Sequence, residues 1–115
     1  MAFVETICRT SGDSGDLRIR IMRNNLEPWD MTNVTVIRVG FTEDLDPKTP
    51  NETVALMDGT PETDGWATFP DSGAAPLSDV LAGKYYGQVR FVDDGEVWST
   101  NKFRTELDTP LFDMP

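Results

Sequence analysis

Carboxylates, tryptophans and arginines are the side chains in this sequence whose types and spacing could do chemistry. Glu43, Asp44 and Asp46 form one acidic set, and Asp93, Asp94 and Glu96 another. Calcium takes several oxygen ligands of this kind, but neither set has EF-hand or nonapeptide spacing. Solvated acidic loops are therefore expected, with no metal and no cofactor, and a glycosidase pair has no evident cleft to work in. Trp29, Trp66 and Trp98 offer aromatic faces of the sort that stack on sugar rings. Trp66 alternates with Ala67 and Phe69 and is expected at the core or its edge. Trp29 follows Pro28 and is expected to cap the core. Trp98 runs out of phase with Val97, Ser99, Asn101 and Phe103, and stays open between an exposed contact and a core anchor. Arg18 and Arg20, with Arg23 beyond, are read as the only basic concentration in the sequence. Cross-strand pairing with acids is expected of them, and an acidic partner surface is the alternative.

Much other chemistry is excluded by composition. The chain has no histidine, so it has no Ser-His-Asp or Cys-His nucleophile, no imidazole ligand and no histidine pH switch. Cys8, the single cysteine, can form neither an intrachain disulfide nor a thiolate zinc cluster. Together with an opening that reaches a charge at Glu5, this leads one to expect assembly in a reducing compartment. Twenty acids against ten bases give a formal charge of −10, which repels nucleic acid and anionic membrane. A hydrophobic fraction of 38% is still too high for a disordered acidic tail, so the chain is expected to fold.

The elements that must position these groups have a period of two. Leu17, Ile19 and Ile21 alternate with Arg18, Arg20 and Met22, which predicts a half-buried strand ended by Asn24-Asn25. From Val34 to Phe41 the phase that buries Ile37, Val39 and Phe41 is preferred, because the other buries Arg38. A bulge near Val34 to Val36 would serve both sets. Prolines and acids make residues 42–51 a loop. Short strands are predicted at Thr53 to Met57 and Trp66 to Phe69, paired as a hairpin with a long connection. Between Pro70 and Ala82, Leu77, Val80 and Leu81 suggest one helical turn capped by Ser78. Lys84 to Val92 and Glu96 to Thr105 form a hairpin at Asp93-Asp94-Gly95, where Gly supplies the positive φ. About seven strands and almost no helix predict an all-β fold, an antiparallel immunoglobulin-like β-sandwich, with an open Greek-key barrel as the alternative. Residues 1–107 are read as one domain and 108–115 as a C-terminal arm.

Four stretches resemble the small immunoglobulin-like domains of tailed-phage structural proteins, including the N-terminal domain of siphophage baseplate upper proteins. Ser14-Gly15-Asp16-Leu17-Arg18-Ile19-Arg20-Ile21 is similar to the family's Gly-Asp opening of an alternating strand. Trp29-Asp30-Met31-Thr32-Asn33-Val34-Thr35-Val36 stands at its strand entry, with Asn33 where the family carries Gly. Gly65-Trp66-Ala67-Thr68-Phe69 resembles its short aromatic strand. Ala82-Gly83-Lys84-Tyr85-Tyr86-Gly87-Gln88-Val89-Arg90-Phe91, with the Asp94-Gly95 turn and Val97 to Phe103, resembles its closing hairpin. The resemblance implies a structural role in a particle, without catalysis.

The reading that follows is a non-enzymatic phage virion protein, a capsid decoration, neck or tail/baseplate component assembled in the host cytoplasm. Its partners would be other virion proteins and copies of itself. Partner contacts are expected at Leu111, Phe112 and Met114 in the arm, and at Trp98, Arg18 and Arg20. At the other end, Phe3, Val4 and Ile7 are expected to add an edge strand. The alternatives are a small acidic inhibitor that mimics DNA and a carbohydrate-binding module reading glycans through Trp98 or Trp29.

Overall fold

The structure, a computed structural model, describes residues 2–23, 27–45 and 53–112. The expected Asn24-Asn25 turn, Asp46 with most of its loop, and Met114 lie outside the described residues. The strands are β1 (Ile7–Thr10), β2 (Leu17–Arg20), β3 (Val34–Thr42), β4 (Ala55–Asp58), β5 (Thr60–Pro61), β6 (Trp66–Phe69), β7 (Gly83–Asp93), β8 (Glu96–Ser99) and β9 (Phe103–Asp108). They make two sheets. The larger has the order β1-β9-β7-β3-β4, with β8 also on β7, and the smaller has the order β2-β6-β5. The fold is an all-β sandwich, as the alternating pattern predicts, and the chain divides into two sheets rather than the open Greek-key barrel of the alternative.

Alternation decides what lies between the sheets. Ile19, Ile37, Val39, Phe41, Ala67, Phe69, Val89, Phe91 and Phe103 are all buried. Each such large side chain contributes about 1.5–3 kcal/mol relative to exposure, so this strip dominates stability. The β3 phase is the expected one, and the β3–β7 register shifts between Val34, which is buried, and Val36, which is 56% exposed. The bulge therefore sits where two competing apolar sets had to be reconciled. On β7, Gly87 faces inward between two rings. A Cβ there would stand 2.4 Å from Phe103 Cε2 and 2.9 Å from Phe41 Cε1. Two residues before it, the Tyr85 hydroxyl donates to the Leu81 carbonyl at 2.7 Å, the corner bond found in immunoglobulin-like sandwiches.

Four expectations are corrected. Strands β4 and β6 do not pair; β4 joins β3, and β6 lies between β2 and β5 in the other sheet. The switch occurs at Gly59, where the chain passes so close to Phe69 that a Cβ would fall 2.5 Å from its ring. Pairing is also not antiparallel throughout, since β1 runs parallel to β9. This follows from the chain crossing from the larger to the smaller sheet between β1 and β2, so that β1 fills the edge beside the last strand. Ser78 is not a cap. The short 3-10 turn Leu77–Asp79 has Pro76 at its start, and the Ser78 N–H donates to Asp71 Oδ1 at 3.1 Å. Leu81, expected to share that turn's apolar side, is 80% exposed.

The second arm of the closing hairpin is broken. β8 covers Arg90 to Asp93 of β7, and β9 covers Gly83 to Gly87. At the break the Thr100 hydroxyl accepts from the Val89 N–H at 3.1 Å, and the Thr100 N–H donates to the Val89 carbonyl at 3.0 Å. Asn101 then holds the N-terminal segment. Its Oδ1 accepts from the Val4 N–H at 2.8 Å and its Nδ2 donates to the Val4 carbonyl at 3.1 Å. Ala2 and Val4 are thereby fixed in the core, and β1 adds the expected edge strand.

Two substitutions of opposite sign test this packing. Gly87→Ala should destabilise by about 1–3 kcal/mol, because Phe41 and Phe103 must move. Thr105 is fully buried and its hydroxyl has no hydrogen-bond partner among the described residues. Thr105→Val should therefore stabilise by about 1–3 kcal/mol. Urea midpoints with unchanged slopes would report both.

Candidate functional site

The expected site residues fall in separate places. Trp29, as expected, caps the core: it is buried, and its indole N–H donates to Asp93 Oδ2 at 2.8 Å. Its ring meets Phe91 edge-on at 5.2 Å and Trp98 at 5.3 Å, and the Arg23 guanidinium lies 4.9 Å above it. Trp98 pairs across the ladder with Phe91, on the inward side, and is 38% exposed. It extends the aromatic cap at the sheet's end, so the anchor reading describes it better than a free contact. Val97, its neighbour in β8, pairs with Val92 and points outward.

Trp66 is not in the core. The pleat of β6 buries Ala67 and Phe69 and puts Trp66 on the outer face of the smaller sheet, across from Arg20. Arg18 lies 4.6 Å and Arg20 5.6 Å from the centre of its ring. Arg18 also approaches Glu62 at 3.4 Å, and Arg20 Nε donates to the Asp64 carbonyl at 2.8 Å. The expected cross-strand pairing of these arginines with acids is thus present for Arg18, and both are engaged on their own sheet. Stacking on an exposed ring contributes about 0.5–1 kcal/mol each. The signal for the correct phase was Thr68, which would have been buried had Trp66 faced inward.

The Thr68 hydroxyl donates to Glu62 Oε1. That bond is the main cause holding the Glu62 carboxyl below the usual glutamate range; desolvation, next in size, opposes it, and the Arg18 charge and hydrogen bond add smaller lowering effects. Asp30 is lowered in the same way by the hydroxyl and N–H of Thr32.

The arm behaves differently. Among the described residues its last backbone tie is the Ser11 N–H to the Asp108 carbonyl, at 2.7 Å. Beyond it Leu111 is 99% exposed and Phe112 73% exposed.

The reading from sequence missed a groove of about 490 Å³ on the outer face of the larger sheet. Val36, Leu45, Leu56, Tyr86, Val92 and Val97 give it apolar walls, and Arg38, Arg90 and Lys102 give it positive charge. Gly40 forms a low floor, where a Cβ would press on Thr53 and Leu56 at 3.3–3.4 Å. Arg38 stands directly opposite Arg90 on the β3–β7 ladder, an unfavourable like-charge pair. Asp58 relieves Arg38 at 2.6 Å, whereas the Arg90 Nε bond goes to the neutral Ser99 hydroxyl at 3.0 Å. The outward set Val36, Val92 and Val97 was the available signal, but it gains meaning only when the strands are known to be neighbours.

Among the described residues no three His, Cys, Asp or Glu side chains are grouped to hold a metal ion. Nor is any helix there long and apolar enough to cross a membrane.

The smaller sheet's outer face generates a pH prediction. Because folding lowers the Glu62 pKa, its stabilising contribution is complete above the unfolded-state value and is lost as pH falls through the folded value. Thr68→Val should shift the Glu62 titration upward and Thr68→Ser should leave it low, as read by carboxyl-carbon NMR.

No protein-family model and no curated protein matches the chain. Among solved structures it is similar to the crystal structure of CopC from Methylosinus trichosporium OB3b, with 11% sequence identity, 100% of both chains covered and a TM-score of 0.55. A likeness at that identity shows the fold, an all-β sandwich, and nothing of the chemistry.

Proposed function

We propose that this chain is a non-enzymatic structural protein that acts through protein–protein contacts in an assembly. Its setting is a bacteriophage virion, where it serves as a capsid-decoration, neck or tail/baseplate component beside other virion proteins and copies of itself. The setting rests on the resemblance of its strand-entry and hairpin motifs to tailed-phage domains. The mode of action rests on one observation: the segment after β9 carries Leu111 and Phe112 at 99% and 73% exposure. Adjacent large apolar side chains held in water lose several kcal/mol of available burial, about 1.5–3 kcal/mol each, which a neighbouring subunit would supply.

The other readings draw less support. A DNA mimic needs a row of unengaged carboxylates, yet Asp58 is tied to Arg38, Glu62 to Arg18 and Asp93 to the Trp29 indole. A glycan platform at Trp29 and Trp98 would need open ring faces, and these two rings meet each other at 61°.

Removal of the arm is the direct test. The full chain should self-associate in size-exclusion chromatography with light scattering. A chain ending at Thr109, which keeps the Ser11–Asp108 bond, should be monomeric with an unchanged melting temperature, because Leu111 and Phe112 add nothing to the core. Equal masses for the two chains would overturn the reading.

A further inference from the structure

We infer that the groove on the outer face of the larger sheet receives residues 109–115 of a second copy of this chain. The inference rests on the assembly reading above and adds the receiving surface and the partner.

The chemistries match. The groove offers apolar walls from β3, β4, β7 and β8, beside the cations Arg38, Arg90 and Lys102. The arm offers Leu111 and Phe112, with Asp113 after them in sequence. On a chain of charge −10, a cationic surface that opposes two arginines across one ladder calls for an anion. A carboxylate seated between Arg38 and Arg90 would relieve their repulsion, and charge-assisted bonds to guanidinium are among the stronger ones available. The groove volume, about 490 Å³, is in the range that accepts a compact group of side chains.

Geometry assigns the arm to another molecule. Leu107 lies beside Gly83, at one end of β7, whereas Val97 lies beside Val92, near the other end. At about 3.4 Å per residue those ends are about 30 Å apart. Leu111 can extend no more than about 14 Å beyond Leu107. The arm therefore cannot carry Leu111 to the Val36, Val92 and Val97 end of its own groove, so filling that end takes a second copy. Between copies the contact joins two different surfaces, so it closes a reciprocal dimer or propagates around a ring. A single short segment buries less than a standard interface, so association should depend on concentration and strengthen with the number of copies.

Complementation between full-length variants tests this. Val36→Glu with Val97→Glu alters the groove at exposed positions, and Leu111→Ser with Phe112→Ser alters the arm. Thermal unfolding verifies that both fold. In sedimentation velocity each double variant alone should self-associate at least tenfold more weakly than the unmodified chain. An equimolar mixture, which contains one intact groove and one intact arm, should recover a heterodimer. If the arm variant is monomeric but the groove variant associates like the unmodified chain, the groove assignment fails and the assembly reading stands. If the unmodified chain is itself monomeric, or if neither variant weakens association, both fail.

Discussion

From Val36 to Thr42 each residue of β3 sits opposite a residue of β7, and this ladder sets what both faces of the larger sheet can be. Its inward pairs are Ile37 with Phe91, Val39 with Val89 and Phe41 with Gly87. The period of two then leaves no choice about the outward pairs, which are Val36 with Val92, Arg38 with Arg90, Gly40 with Gln88 and Thr42 with Tyr86. A slip of one residue would bury arginines and expose the phenylalanine core. The core thus locks the register, and the register aligns the valines, the arginines and the glycine floor into one groove. The surface is a consequence of packing on the opposite side of the same strands.

The ends of the sandwich are closed by polar contacts that fix otherwise loose segments. Asp93 holds the Trp29 indole over one end, next to Phe91. Tyr85 holds the turn before β7 through Leu81. Asn101 holds the first residues through Val4, and Thr100 completes the Val89 backbone where the hairpin arm is broken. A neutral hydrogen bond contributes about 0.5–1.5 kcal/mol, so these contacts direct the chain more than they stabilise it. Among the described residues the arm after Asp108 has no comparable contact, and Leu111 and Phe112 remain in water.

Much of this was legible in the sequence where local pattern and burial agree. The β3 phase followed from refusing to bury Arg38, the bulge from two competing apolar sets, and the hairpin turn from Asp94-Gly95, where both residues take positive φ. Trp29 as a core cap followed from its place beside Pro28. Partner choice was not legible. Nothing local says that Gly59 carries the chain between sheets or that β1 lies parallel to β9. Trp66 was misplaced because both faces of Gly65-Trp66-Ala67-Thr68-Phe69 carry an aromatic, and two arginines from β2 accommodate the outward one. The same arginines, read as partner contacts, are engaged within their own sheet. The groove was hidden because its walls come from strands far apart in sequence, although the exposed arm was visible from its lack of period.

Assembly as proposed places the arm of one copy in the groove of another. Paramagnetic relaxation tests it most directly. A spin label is attached through Thr109→Cys in a Cys8→Ser background, since Cys8 is exposed. That chain, without isotope label, is mixed with unmodified ¹⁵N-labelled chain. With the arm in the groove, the labelled partner loses amide intensity around Val36, Arg90 and Val97, and keeps it on β2 and β6. Undiminished signals on β3, β7 and β8 in a mixture shown to associate would contradict it.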